Sequence, residues 1–414
     1  MTTEQLFTQA LLIDSCWQVE KSSFEGEPKQ LVLHLGLDPA TTSLPCPECH
    51  APGCGIHDRR ERTWRHLNFW QYATVIHAKV PRVRCKKCGV HQVEVPWARA
   101  GSGFTLLFEA FTLELIRNMT VSQAAEFVGE NDKRIWTIIE HYVGKAYEQS
   151  DWKNVRRVAI DETSRRKGHT YVTNFLDLDT GLLLFMAEGK EAETVAKFVE
   201  QLIKFGGDPA NITEVAIDMS GAYKKGASEY LPGARITFDR FHVAQLAGKA
   251  FDEVRKEVNA EAGGLGRGGM WALRGDPERL TVGMKKLREK LLRTYRKLNR
   301  AMGLREMLAD FYRYADVELA TKHFEARESW AKRCRMEPFK KLAKTLRNHW
   351  EGIKAYYIND TTSAIIENLN GRLQRARRRA YGYRSFRNFQ LIAYWIAGGL
   401  SPATDLPNPI PRPF

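Results

Sequence analysis

Two CxxC pairs, Cys46-Pro-Glu-Cys49 and Cys85-Lys-Lys-Cys88, stand 35 residues apart in this chain, and no other feature constrains its folding as strongly. Each pair fits a tight knuckle that offers two thiolates, and two knuckles complete one tetrahedral Zn2+ site. Folding must therefore carry residues 85–88 back onto residues 46–49. The gap is longer than common zinc-finger spacings, so a ribbon with an inserted hairpin is expected. WQYATVIHAKVPRVRC at 70–85 alternates apolar and polar side chains as such a hairpin would. Four thiolates fill a four-coordinate site, which leaves Cys54 and His57 as bystanders. The seven cysteines are an odd number, clustered mainly in one segment, which suits a metal site in a reducing cytosol better than disulfides.

The 414 residues, 43% of them hydrophobic, are enough for several domains with buried cores. Lys and Arg outnumber Asp and Glu by 63 to 49, a net charge of +14, and this excess points to a polyanionic partner, nucleic acid first. No run of about 18 to 20 apolar residues is present to span a membrane, and the N-terminus lacks the pattern of a secretory signal. A soluble, cytoplasmic protein is expected.

Periodicity divides the chain. Residues 1–98 read as an N-terminal region ending in the zinc ribbon at 46–98, with LVLHLGL at 31–37 as a strand. Residues 99–150 switch to helical spacing in three short helices. TVSQAAEFVGENDKRIWTIIEHY within them has the form of a helix-turn-helix, with a turn at Gly129 and a cap near Asn131 or Asp132. Residues 151–248 alternate strands and helices, the signature of a mixed sheet, and include the strand-like runs RRVAID, EVAID and ARITFDRF. Residues 249–358 contain helix formers and no convincing strand, so an all-helical insertion is expected. Residues 359–400 carry the last helices, with the strong helix SAIIENLNGRLQRARRRA starting near Ser363, and 401–414 form a Pro-rich tail. The Gly-rich run within 259–270 has no evident place; it lacks the GK[ST] of a phosphate-cradling loop.

Three acids carry the catalytic signal. Asp161 and Asp218 each follow an Ala-Ile pair at the apparent end of a strand, where open α/β sheets bind substrate. Glu367 lies one turn into the helix SAIIENLNGRLQRARRRA. A cluster of hard carboxylate oxygens suits two Mg2+ or Mn2+ ions about 3.5 to 4 Å apart, the arrangement used in phosphodiester chemistry. Glu162, Glu351 and Asp360 are rival carboxylates. Beyond Glu367 run Arg372, Arg375, Arg378 and Arg379, with Arg384 further on, a stripe suited to a phosphate backbone. Arg59, Arg60, Arg62 and Arg65 interleave with Trp64 between the knuckles and fit either phosphate contact or a plain exposed basic loop.

These residues lie in segments that closely resemble the bacterial insertion-sequence transposases of the ISL3 family. The points of contact are CPECH and RCKKCG with HDRRER between them, AIDETSRRKGHTYVT, AIDMSGAY, LPGARITFDRFHV, and IENLNGRLQRARRRAYGYRSFRNFQLIAYW. The resemblance runs from the first knuckle to about residue 397. It implies an RNase H-like core with Asp161, Asp218 and Glu367 as a DDE triad, interrupted by the helical insertion before its last helices. Asp239 and His242 match a D-x-x-H element that orders such sites or the flanking DNA. Double-stranded DNA as partner, both as terminal inverted repeats and as target, and a homodimer pairing two element ends follow as expectations. The competing functions are a DNA-binding regulator with an inactive core and a metal-dependent nuclease that does not join strands.

Overall fold

The computed structural model describes residues 1–11, 13, 16–166, 170–309, 312, 314, 316–359, 363–401, 406 and 407. Asp360, residues 167–169 of the first acidic motif, and the tail apart from residues 401, 406 and 407 lie outside the described residues. The chain forms two compact units, Met1–Glu148 and Gln149–Gly399.

In the first unit, helix α1 (Thr3–Ala10) precedes strands β1 (Trp17–Glu25), β2 (Gln30–Leu37), β3 (Ser43–Leu44), β4 (Cys54–Phe69), β5 (Tyr72–Cys85) and β6 (Gly89–Gln92). They form one six-stranded sheet in the order β1-β2-β5-β4-β3, with β6 also paired to β5. The zinc ribbon is therefore not a separate small unit. Its β5 pairs in parallel with β2, from Gln30↔Ala73 to Leu35↔Ala78, and the side chains on the shared face merge into one core. Leu33, Ile76, Trp64 and Val83 join Cys46, Cys54 and Cys85 there. Trp97 closes the core, edge-on to Trp17 at 5.0 Å and to Trp64 at 5.5 Å. The segment 70–85 is one long strand rather than a whole hairpin, and its partner is the basic stretch HDRRERTWRHL, a strand and not a loop.

Helices α2 (Leu106–Asn118), α3 (Val121–Val128) and α4 (Asp132–Glu148) complete this unit. Thr120 opens α3 with a reciprocal capping box to Gln123, and Gly129 ends it at φ 72°, a conformation that favours glycine. Asn131 starts α4 by accepting the Lys133 N–H at 2.9 Å. Ala124 and Ala125 let α3 approach the buried Ile135, Ile138 and Ile139 of α4.

The second unit begins with β7 (Arg157–Arg166), β8 (Thr170–Asp177) and β9 (Leu183–Glu188), followed by α5 (Glu193–Lys204), β10 (Glu214–Ile217), α6 (Gly221–Tyr230) and β11 (Arg235–Phe238). The five strands take the order β11-β10-β7-β8-β9. An antiparallel meander thus carries two parallel strands on its first member, the RNase H-like arrangement. Phe198 of α5 stacks on Phe175 of the sheet at 4.5 Å.

Helix α7 (Arg240–Glu261) leaves directly from β11. It leads through α8 (Gly269–Arg274), α9 (Val282–Thr294), α10 (Arg296–Ala309), α11 (Val317–Arg333), α12 (Glu337–Asn348), α13 (Trp350–Lys354) and α14 (Tyr356–Asn359) to α15 (Ser363–Arg379) and α16 (Phe386–Ala397). Among the described residues of 249–358 there is no strand. The sequence reading runs a strand from Ala234 to Phe241. The strand stops at Phe238 because the Asp239 carboxylate accepts the Phe241 N–H at 2.8 Å and caps α7. A boundary at 249 therefore falls inside a continuous helix. The Gly-rich run is the α7–α8 turn, where Gly263, Gly264, Gly266 and Gly268 all adopt positive φ, which explains why side chains are lacking there.

Candidate active site and metal centre

The four knuckle cysteines converge. Their sulfurs lie within 4.8 Å of one another, and Cys49 Sγ is 3.6 Å from Cys85 Sγ. The first knuckle closes through His50 N–H to Cys46 O at 2.9 Å and Cys46 N–H to Ala51 O at 2.9 Å. In the second, the backbone N–H groups of Cys88 and Lys87 point at the Cys85 sulfur and lower its pKa, while the neighbouring thiols raise that of Cys88. One tetrahedral Zn2+ fits four thiolates so placed, and its binding supplies the charge that such a cluster needs. Cys54 is buried beside the group and donates to Ala51 O at 3.6 Å. His57 is exposed on β4 and takes a hydrogen bond from Arg84 at 3.0 Å.

The acids gather at the carboxyl edge of the second sheet. Ala216 of β10 is level with Ala159 of β7 and with Thr237 of β11. Asp218 and Asp239 directly follow the last residues of β10 and β11, and Asp161 stands two residues past the last β7–β10 pair, so the three acids lie at the same edge. Adjacent strands lie about 4.8 Å apart, so three carboxylates form a row. Asp161 is not at a strand end, as its sequence suggests. The parallel ladder to β10 stops at Ala159, while β7 continues antiparallel to β8 through Asp161↔Asn174 to Arg166↔Thr170.

Asp161 is 7% exposed. Burial lifts its pKa from 3.8 to about 6, although a hydrogen bond from Asn370, the nearby His242 and the Glu162 N–H favour the carboxylate. Asp218 is half-buried and accepts the Ser220 N–H at 2.8 Å. His242 Nδ1 donates to Asp239 Oδ2 at 3.2 Å. That bond raises the imidazole's pKa, and the carboxylates of Asp161, Asp239 and Asp218 add to the effect. The His242 imidazole thus faces the row through its bond to Asp239.

Glu367 is exposed on α15. Among the described residues, the cysteine cluster alone brings three or more Cys, His, Asp or Glu ligand atoms within 4.8 Å of one another, so neither the row by itself nor the row with Glu367 stands at metal-bridging spacing. Its helix is nonetheless tied to Asp161. Asn370, one turn after Glu367, donates through Nδ2 to Asp161 Oδ2 and accepts from the Thr163 hydroxyl at 3.0 Å. Thr163 in turn accepts from Asn174 Nδ2 at 2.9 Å, and Arg377 further along α15 donates to Ser164 O.

Sequence reasoning missed Asn370, Thr163 and Asn174. The one available signal was that Asn370 shares a helix face with Glu367. Strand alternation separates the rivals. Asp161 and Thr163 face α15, whereas Glu162 shares the opposite face with its cross-strand partner Thr173, whose hydroxyl meets Tyr223 of α6 at 2.9 Å. Glu351 pairs with Lys354 at 2.8 Å on α13, beside a cavity it lines with Arg235 and Ile236.

The expected DNA contacts divide. Arg375, Arg378, Arg379 and Arg384 are exposed, and Arg372 is half-buried. Arg59 and Arg60 are exposed on β4, and Arg62 lies over the Trp64 ring at 5.9 Å. Arg65 is a correction. Its guanidinium donates to Val128 O at 3.0 Å and Thr74 O at 3.3 Å, approaches Glu130 at 4.0 Å and covers Phe108 at 5.5 Å. It braces the sheet against α2 and α3 rather than presenting charge to phosphate, and burial lowers its pKa.

Among the described residues no helix is long and apolar enough to cross a membrane. A family model for ISL3 transposases matches residues 158–393. The helix-turn-helix domain of transposase family ISL3 matches residues 93–143. A third model, the zinc-finger of transposase IS204/IS1001/IS1096/IS1165, matches residues 43–88. The transposase for insertion sequence element IS1001 of Bordetella parapertussis is 26% identical over 386 residues, covering 91% of this chain and 94% of that protein. The transposase for insertion sequence element IS1557 of Mycobacterium tuberculosis is 27% identical over 445 aligned positions, covering 97% of each chain.

Proposed function

Because the chain belongs to the ISL3 family of transposases, we propose that it cuts DNA at the terminal inverted repeats of an insertion element and joins the freed 3′-hydroxyl ends to target DNA. The observation that carries this reading is the gathering of Asp161, Asp218 and Asp239 around His242 at one edge of the sheet, with the Glu367 helix bonded to the first of them. Asp161, Asp218 and Glu367 would hold Mg2+ or Mn2+, and two such ions would supply activation of an attacking oxygen and stabilisation of the leaving one. Asp239 fixes the His242 imidazole, which faces the row.

The helix-turn-helix, with the exposed Lys133, Arg134 and Thr137 of α4, reads the repeats. Arg59, Arg60 and Arg62 hold backbone phosphate near it, and Arg372, Arg375, Arg378, Arg379 and Arg384 hold phosphate at the cutting site. The working divisions are 1–98, 99–150, 151–248 with 359–400 as one core, and 249–358 as its insertion, whose first helix starts at Arg240. The active form is a homodimer that pairs two element ends, acting on nucleoid DNA in the cytoplasm.

The test incubates full-length protein and a Glu367→Gln variant with Mg2+ and labelled DNA carrying the element's ends. The wild type is expected to yield end cleavage and joined products. The variant should bind equally in gel shifts yet lose cleavage by orders of magnitude. Cleavage without joined products at saturating target would leave a nuclease in place of a transposase, and undiminished cleavage by the variant would remove Glu367 from the site.

A further inference from the structure

We propose that Asn370 is a positioning residue: through the chain Asn174–Thr163–Asn370 it locks α15 to β7 and orients the Asp161 carboxylate for a divalent cation shared with Glu367. The inference rests on the reading of the acids as a cation site.

The ionised Asp161 carboxylate can only accept, and this fixes the polarity of the chain. A hydroxyl has one proton and two lone pairs. Thr163 Oγ1 accepts from Asn174 Nδ2 at 2.9 Å and gives its own proton to Asn370 Oδ1 at 3.0 Å. Asn370 must then present its NH2 group to Asp161 Oδ2. The other Asp161 oxygen takes the Glu162 N–H at 2.8 Å. Both oxygens are thereby held from fixed directions, and the carboxylate has one orientation with lone pairs left toward the row. Because Asn370 lies three residues after Glu367, the same amide also sets the rotation of α15 about its axis.

Stability alone does not account for Asn174. It is fully buried on the strand face it shares with Val172 and Leu176, and among the described residues its Oδ1 has no partner. An unpaired amide oxygen in a sheet interior costs free energy that a valine there would not. Its use is to aim Thr163. Hydrogen-bond partners of this kind behind metal-binding carboxylates typically change metal affinity by about 10- to 100-fold when removed.

The experiment titrates Mn2+ into full-length, zinc-loaded protein and follows the electron paramagnetic resonance signal of free Mn2+. Asn370→Ala is expected to weaken binding by about 10- to 100-fold, with zinc content unchanged and DNA cleavage recovering as Mn2+ is raised. Thr163→Val keeps the side-chain shape and touches neither acid, so it reports even if Asn370→Ala folds poorly. It should weaken Mn2+ binding several-fold, Thr163→Ser should recover most of that loss, and the double variant should bind no worse than Asn370→Ala. Wild-type Mn2+ affinity in both single variants, or additive losses in the double variant, overturns the proposal. Wild-type binding that Asp161→Asn leaves unchanged would instead remove the cation site itself, and the proposal with it.

Discussion

Asp161 makes the pH dependence of the metal-free catalytic unit calculable. Its carboxyl is 7% exposed and its pKa is raised from 3.8 to about 6. Between those values the folded chain keeps a proton that the unfolded chain has released. Stability from this group is therefore complete below about pH 4 and is lost as pH rises through about 6. The difference corresponds to about 3 kcal/mol. For a unit of this size that is roughly 2–4 °C per kcal/mol, or about 6–12 °C in the unfolding midpoint.

The comparison is wild type against Asp161→Asn, both stripped of Mg2+ and Mn2+ with zinc retained. His242 faces the same carboxylates, so each protein is also prepared as His242→Gln. Thermal unfolding of the second unit is followed from pH 4 to 7.5. Wild type should fall relative to the asparagine variant by about 3 kcal/mol across that range. Mn2+ should reverse the loss in wild type alone, with affinity dropping about tenfold per pH unit below pH 6 as proton and cation compete. A flat difference curve would refute the argument, since it would mean that burial does not hold the proton on Asp161.

Cys85→Ser should release the zinc, about one ion per chain by metal analysis, and unfold residues 46–98 together with the β2 pairing that β5 supports. The transition of the second unit should remain, and unchanged zinc content would disprove the ligand set. Deleting residues 1–150 should abolish the preference for repeat-bearing over scrambled DNA in gel shifts at stated salt. Weak, salt-sensitive binding should persist, and retained preference would place recognition in the core or insertion. Glu109 is fully buried and binds Arg99 at 3.0 Å, Ser102 at 2.8 Å and Tyr142 at 2.6 Å. Glu109→Ala should cost about 3 kcal/mol of first-unit stability by denaturant unfolding, the low end for such clusters because Arg99 can reach solvent; a loss below about 1 kcal/mol would show the cluster relaxing instead.

What the sequence determined by itself is local chemistry. The two CxxC pairs specify their knuckles within four residues each, Thr120, Gln123 and Gly129 specify the ends of α3, and helical or alternating periodicity separates the three-helix segment and the insertion from the sheets. The Ala-Ile-Asp repeats marked two acids, and the motifs around them carried the family. Tertiary structure decided partnership. Pairing β2 with β5 in parallel depends on register between segments that share no motif, and it turned a separate ribbon into one edge of a larger sheet. Asp161 reads as a strand end because only β8 pairs with the residues after it. Arg65 reads like its neighbours Arg59, Arg60 and Arg62, yet packing against Phe108, Val128 and Glu130 takes it out of the basic surface. Asn370 is an ordinary helix residue until Thr163 and Asp161 stand opposite it. A residue's type and spacing fix what it can bond to, and only the packed chain fixes which partner lies within the 3 Å reach of a hydrogen bond.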